Sequence, residues 1–350
     1  MSQPSSSSPS STLPTIAIIS LGSMGIGVAK LLLAHSYPVC TSLQGRSSAT
    51  RARAEAINVK CHDTDAALIA ASDIILSIVP PEHAHATAQR VADAFVAVAR
   101  NREEGTWSKR LYFLELNAIS PQRARDIAAV FSAANEKLKD KDDEAAIVCI
   151  DGGIIGGPPR LKDDGSWSCP SLVLSGPSPL NGSTPGGDAL ATLLNTSHIS
   201  PEIGSASGLK MCFASMTKGL TAIAIQAFTT ASRLGVQEEL VQHLEKYSPK
   251  TGDLVKGGLV AMPPKAYRWV AEMEMIGETM RVDGGFEGGE GEGRSGENLF
   301  QEVAGVYNFV AHGTELGDEK TENRKRGLST EDVAKLVAEG LDSRKKKRGE

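Results

Sequence analysis

Thr15-Ile16-Ala17-Ile18-Ile19-Ser20-Leu21-Gly22-Ser23-Met24-Gly25 is the stretch whose reading decides the fold. Its first five residues form a short, largely β-branched apolar run that suits a buried strand. A glycine-bearing turn ends that run, and Met24 to Ala34 then shows helical spacing. Val39 to Leu43 is a second apolar run, which completes a strand–helix–strand unit. The alternation continues downstream. Asp73 to Val79 reads as a strand stopped by Pro80-Pro81, Ala84 to Ala99 as a helix, Leu111 to Leu116 as a strand, Gln122 to Leu138 as a helix and Ala146 to Asp151 as a strand. Strands interleaved with helices predict a doubly wound parallel sheet with helices on both faces.

The turn itself carries chemistry. Ser20, Leu21, Gly22, Ser23, Met24 and Gly25 spell G-x-G-x-x-G with serine in the first place. Gly22 lets the backbone approach a pyrophosphate, Gly25 lets the helix pack closely on the strand, and the helix N-terminus offers amide hydrogens and a positive dipole end. The context of strand, turn and helix supports a Rossmann-type dinucleotide site. At the end of the second strand, where an NAD site places a carboxylate on the ribose hydroxyls, the chain reads Gln44-Gly45-Arg46-Ser47-Ser48. Arg46 can stack on adenine and pair with a 2′-phosphate, Ser47 and Ser48 can donate to it, and Arg51 lies one helical turn on. NADP is therefore expected over NAD. The competing reading of Arg46 and Arg51 is a pair of solvated charges at a helix start.

Beyond Gly165 the pattern changes. Leu172 to Ser175 is strand-like, Pro177 to Gly187 is rich in Gly, Pro and Ser, and a helix is predicted from about Ser205 to Arg233 with Gly235 as its left-handed cap. At 1.5 Å per residue such a helix runs about 44 Å, long enough to join two domains. The remaining periodic segments, Glu238 to Lys246, Lys265 to Met280, Asn298 to Ala311 and Thr330 to Gly340, are helical. Asp283 to Gly296 is acidic, glycine-rich and expected to be a mobile loop. The organisation read from these signals is a disordered tail over 1–13, a Rossmann domain over 14–203, an all-α domain over 204–341 and a basic tail over 342–350.

Composition narrows the class. With 41% hydrophobic and 23% charged residues across 350, this is an ordinary globular composition able to bury two cores. No uninterrupted apolar run of bilayer length is seen, so no membrane partner is expected. The net charge of −5 argues against nucleic-acid binding, although Arg344-Lys345-Lys346-Lys347-Arg348 is either a nuclear address or a solvated, flexible terminus. The Ser/Pro-rich start has no secretory pattern, and five scattered cysteines suit a reducing compartment, so a cytoplasmic location is expected. His83 and His85 lack a third ligand, and no metal is expected.

Several motifs, in order, resemble the β-hydroxyacid dehydrogenases related to 6-phosphogluconate dehydrogenase. They are the turn with Met24-Gly25, the strand end Ile78-Val79-Pro80-Pro81, Asn117-Ala118-Ile119-Ser120-Pro121, Asp151-Gly152-Gly153-Ile154-Ile155-Gly156-Gly157 and Gly204-Ser205-Ala206-Ser207-Gly208-Leu209-Lys210. Thr217-Lys218-Gly219-Leu220 and Pro264-Lys265-Ala266-Tyr267-Arg268-Trp269 resemble a subfamily whose helical C-terminal domain is chemically uncharacterised. The resemblance implies hydride transfer between nicotinamide and a small hydroxy acid or its keto form, with or without decarboxylation, and Lys210 as the general acid and base. It also implies Val79 and Pro80 beside the cofactor, Asn117 on the cofactor or substrate, and the Gly156 and Gly157 amides on a substrate carboxylate. Thr217, which shares a helix face with Lys210 as does Thr221, together with Lys218 and Tyr267, completes the expected substrate set.

Ile155 and Ala214 depart from the family pattern, where a serine and an asparagine make polar substrate contacts. Imine or ketone reduction within the superfamily and a non-catalytic NADP-binding sensor or scaffold are the competing functions. Pairing of long interdomain helices in the family, with the small-residue stretch Ala222 to Ala231, leads to an expected homodimer.

Overall fold

The computed structural model describes residues 13–45, 48–101, 110–139, 146–182, 186–286, 296–321 and 323–349. Two compact units divide the chain, residues 1–207 and 208–350.

The first unit is an α/β layer structure. Its strands are β1 (Ile16–Ile19), β2 (Val39–Ser42), β3 (Lys60–His62), β4 (Ile74–Ser77), β5 (Arg110–Glu115), β6 (Ala146–Ile155), β7 (Arg160–Leu161), β8 (Trp167–Ser168), β9 (Ser171–Ser175) and β10 (Thr196–Ser200). The helices between them are α1 (Ser23–Ala34), α2 (Ser48–Glu55), α3 (Asp65–Ala71), α4 (Ala84–Arg100), α5 (Pro121–Glu136) and α6 (Gly187–Leu193). The eight-stranded sheet has the order β10-β9-β6-β5-β4-β1-β2-β3, while β7 and β8 form a separate hairpin. From β3 to β6 this is the 3-2-1-4-5-6 order of a doubly wound sheet, with every pair parallel.

Successive residues of the central strands serve opposite faces, as a pleat requires. Ile16, Ile18, Ile74, Leu76 and Leu114 pack with Val28, Leu31 and Leu32 of α1. Ala17, Ile19, Ile75 and Phe113 pack with Val91 and Phe95 of α4 and Phe131 of α5. That double burial is why these runs are continuously apolar.

The sheet departs from the all-parallel expectation at one edge. β9 runs antiparallel to β6, and β10 is parallel to β9. No crossover helix separates β6 from β9, only the short β7–β8 hairpin, and a connection without a crossover returns the chain antiparallel. β6 also continues four residues past the expected Asp151, so Gly152 and Gly153 are ladder residues. Four strands are missing from the sequence reading: the two-residue β7 and β8 of the separate hairpin, and β3 and β10, the two edges of the main sheet, which are short and lack an apolar run.

The second unit is helical. α7 (Ser205–Ala214), a π-helical turn (Ser215–Gly219) and α8 (Leu220–Leu234) make one continuous 30-residue helix, capped by Gly235 at φ 75°. By length and composition alone this helix is long and apolar enough to cross a membrane, and 44% of its apolar window is buried inside the protein. Then come α9 (Gln237–Tyr247), α10 (Pro249–Ala261), α11 (Ala266–Val282), α12 (Gly296–Gly313) and α13 (Thr330–Arg348). α11 packs on α12, and α8 packs on α10, α12 and α13.

The basic run is helical rather than a tail, because α13 continues to Arg348 and ends at Gly349 with φ 77°. Cations in a last turn face the negative end of the helix dipole, which favours that continuation. Within Ala222 to Ala231, Ala222, Ala224 and Ala231 are buried in their own unit, whereas Ile223 is 60% exposed. Of the acidic glycine-rich segment, 287–295 lie outside the described residues, as do residues 1–12 of the N-terminal stretch.

The division falls after Ser207, three residues into the long helix, and Asp151 explains why. This carboxylate is 1% exposed at the end of the parallel part of β6. Its Oδ2 accepts from Ser175 Oγ (2.9 Å), Gly204 N (2.9 Å) and Ser207 N (3.1 Å), and its Oδ1 accepts from Ser207 Oγ at 2.5 Å. A sheet residue therefore caps the N-terminus of α7 and ties 204–207 to the first unit. Asp151→Ala strands four buried donors and is expected to destabilise the first unit by about 3 kcal/mol in urea unfolding; a loss below about 1 kcal/mol would show that the cap carries little.

Candidate functional site

The turn after β1 has the geometry its residues imply. A Cβ on Gly25 would overlap the carbonyl oxygen of Ser20, so only glycine allows α1 to lie this close to the strand end. A Cβ on Gly22 would meet nothing within 4 Å, leaving that backbone open to a ligand. Gly22 is the N-cap of α1 and supplies no side chain to the first-turn amides. Those amides, at Ser23, Met24 and Gly25, are first-turn donors without an intrahelical partner, the kind of group that suits an anion. Ser20 takes φ 77°, the left-handed turn that glycine enters without strain.

β1 pairs with β4 on one side and β2 on the other, so the turn lies at the switch point where crossovers change direction. Val79 and Pro80 follow β4 at the same end, with Pro80 exposed and Val79 buried.

Asn117 is placed differently from the expected ligand contact. It is buried, its Oδ1 accepts from Val79 N at 2.6 Å, and its Nδ2 donates to Ser77 Oγ at 3.1 Å. Its carboxamide thus braces the ends of β4 and β5 and fixes the Val79–Pro80 backbone. Beneath it, Glu115 is 1% exposed and accepts from Asn117 N at 3.0 Å. Burial pushes the Glu115 carboxyl up to about 8, aided by Asp151 in the adjacent strand and opposed by its bonds to Asn117. It is mostly protonated at neutral pH.

Gly156 and Gly157 form an exposed bend after β6. Gly156 has φ 126°, and a Cβ on Gly157 would meet nothing within 4 Å. A Cβ on Gly27 would stand 3.0 Å from Pro158 and Pro159, so α1 packs on the residues that follow this bend. Two backbone segments suited to anions are thereby neighbours in the first unit. Ser48 opens α2 and is exposed, and Arg51 is exposed on the same helix, while Arg46 and Ser47 lie outside the described residues. His83 and His85 are exposed.

In the second unit, Lys210 is partly buried on α7, and burial together with the nearby Arg268 guanidinium lowers its pKa to about 8. Lys218 is spoken for: it ion-pairs with Glu272, and its Nζ stands 5.1 Å from the centroid of the Trp269 ring. The π turn frees the Lys218 carbonyl, which accepts from Tyr307 Oη at 2.5 Å, and Tyr307 meets Trp269 edge to face. Lys218 is therefore an anchor of the helical core rather than a free substrate contact.

Thr217 Oγ1 donates to the Phe213 carbonyl at 3.2 Å, and the buried Thr221 donates to the Thr217 carbonyl at 3.0 Å and lies against Gly258 of α10. Both hydroxyls satisfy their own helix. Tyr267 is 63% exposed, and Ala214 is buried.

Glu115, Ser77, Ser175, Ser207, Glu272 and Tyr307 were not among the expected site residues. Glu115 and Asp151 had one visible signal, an acid ending an otherwise apolar strand. Glu272 had another, its four-residue step from Arg268 on a predicted helix. Tyr307, 89 residues from Lys218, had none.

Residues 15–98 match the family described as NADP oxidoreductase, coenzyme F420-dependent, and residues 231–310 match a domain of unknown function, DUF1932. An uncharacterized 28.5 kDa protein of Methanothermus fervidus is 27% identical over 266 residues, 73% of this chain and 89% of that protein. Among solved structures, a conserved hypothetical protein from Sinorhizobium meliloti is similar at a TM-score of 0.57 and 20% identity, covering 94% of this chain and 97% of that one. 3-Hydroxyisobutyrate dehydrogenase of Mycobacterium tuberculosis, solved with L-serine, is similar at 0.59 and 14% identity, covering 93% and 99%.

The strained turn is testable by itself. Ser20→Gly removes the left-handed penalty and is expected to raise the stability of the first unit by about 1 kcal/mol in chemical unfolding. A destabilisation would mean that the serine side chain contributes more than its backbone strain costs.

Proposed function

We propose that this chain, an NADP-oxidoreductase-type N-terminal domain joined to a DUF1932 domain on the fold of the 3-hydroxyacid dehydrogenases, is an NADP(H)-dependent dehydrogenase or reductase of small hydroxy acids and their keto forms. The observation that carries this reading is the turn Ser20 to Gly25 at the switch point of a 3-2-1-4-5-6 sheet, with Gly25 overlapped by a strand carbonyl and Gly22 open. The first-turn amides of α1 would hold the pyrophosphate. Gln44 and Gly45 after β2 supply no carboxylate to repel a 2′-phosphate, which favours NADP over NAD, and Ser48, Arg51, Arg46 and Ser47 are the side chains assigned to that phosphate. A bound nicotinamide would supply the hydride acceptor for oxidation and the donor for reduction.

The chain's own groups handle the proton. Lys210 as the amine takes the proton of the substrate hydroxyl, and as the ammonium it returns that proton to the carbonyl oxygen. A pKa of about 8, set by burial and Arg268, leaves both forms accessible near neutral pH. The amides of Gly156 and Gly157 are assigned to the substrate carboxylate. Asn117 positions Val79 and Pro80 rather than touching substrate. A homodimer in a reducing aqueous compartment is part of the reading, supported by Ile223 and Leu234, 60% and 70% exposed on α8.

Titration with NADPH and NADH, followed by hydroxy-acid, keto-acid and imine panels, tests the proposal. NADPH is expected to bind more tightly, with turnover of a hydroxy or keto acid. Tight binding without any turnover would favour the sensor reading, and no binding would sink both. Lys210→Ala is expected to lose hydride transfer by about 10²- to 10⁴-fold while keeping NADPH affinity. Reduction needs the ammonium, so its rate falls as pH rises through about 8; oxidation needs the amine and falls as pH drops through the same value. Arg268→Gln removes a like charge, stabilises the ammonium and is expected to move both limbs to higher pH in kcat/KM profiles.

A further inference from the structure

Around the start of α11 the helical unit gathers positive charge locally that proton transfer does not require. Lys265 ends a 3-10 turn (Pro263–Lys265) and N-caps α11, and Arg268 and Glu272 follow at three- and four-residue steps, so the three side chains leave one face of that helix. The ion pair of Lys218 with Glu272 brings the π turn against this face. Burial lowers the Lys218 ammonium pKa, and the charges of Lys210, Arg268 and Lys265 lower it further. Lys265 is lowered by burial and by Arg268 and Arg324. Among the described residues Arg324 is held by carbonyls, those of Val260 at 2.5 Å, Gly327 at 2.6 Å and Arg326 at 3.2 Å, none of which offsets its charge.

Glu272 is committed to Lys218, and among the described residues no carboxylate pairs with Lys265, Arg268 or Arg324. Like charges gathered in a partly desolvated place destabilise the free protein. An oxyanion relieves that repulsion, and the two groups open to one are suited to it. Arg268 is exposed and presents a planar fork that fits a carboxylate or phosphate, while Lys265 is half-buried and adds a point charge beside it.

We propose that Lys265 and Arg268, backed by the field of Lys210 and Arg324, form an oxyanion subsite that holds a second carboxylate or a phosphate group of the substrate, apart from its reacting carbon. The assignment of that anion to a substrate rests on the oxidoreductase reading; the anion site itself does not. The substrate class is thereby narrowed to acids, and neutral ketones, imines and alcohols are poor substrates because they leave the cations uncompensated.

Thermal unfolding of the full chain without cofactor, in sodium phosphate or sodium malonate against sodium chloride at matched ionic strength, tests the subsite. A saturable rise in Tm of several degrees is expected with at least one of the two anions. A response to phosphate alone assigns a phosphate group, and a response to malonate, alone or with phosphate, admits a carboxylate. Lys265→Gln and Arg268→Gln are each expected to weaken the midpoint concentration about tenfold, and the double variant to abolish the shift. Because each substitution removes a repelled charge, the variants are expected to match or exceed the parent Tm in chloride. No shift with either anion, or a shift that survives the double variant, overturns the proposal. No cofactor or turnover enters the assay, so a protein that oxidises hydroxy acids but ignores both anions loses the subsite and keeps the activity, and the converse result separates them the other way.

Discussion

The buried carboxylate of Asp151 is the constraint on which the placement of α7 depends. Four donors converge on it from β9, from the residue that precedes the helix and from its first turn. An acid in this position is costly to bury unless every lone pair is used, and here the helix amides and two hydroxyls use them. Because the strand supplies the cap, the start of α7 belongs structurally to the sheet even though most of the helix belongs to the second unit. The neighbouring Glu115 accepts from the Asn117 amide, but burial outweighs that bond and raises its carboxyl to about 8.

The same strand ends form the dinucleotide turn, and there backbone geometry governs. Gly25 is required by a steric overlap that no side chain avoids, whereas Gly22 is required only by the space a ligand would fill. Ser20 shows that the first position demands a left-handed turn and not glycine as such. Asn117 contributes from one strand over, holding Val79 and so shaping the turn's neighbour.

In the helical unit, partner choice separates two lysines that the sequence presents alike. Lys218 meets Glu272, Trp269 and, through its carbonyl, Tyr307, and becomes part of the core. Lys210 meets the positive charge of Arg268, and its pKa falls into the range where a proton can be exchanged near neutrality.

The alternation of apolar runs and helical segments by itself determined the doubly wound sheet, the long helix with its Gly235 cap and the glycine turn, because period and turn chemistry are local properties. Edge strands β3 and β10 were hidden, since short solvent-facing strands carry no apolar signature. The antiparallel return of β9, the inward turn of Asn117, the capture of Lys218 by Glu272 and the self-satisfied hydroxyls of Thr217 and Thr221 were decided only in the tertiary structure. Each depends on which group from a distant part of the chain arrives within hydrogen-bond reach, and a buried polar group takes whatever partner the packing supplies.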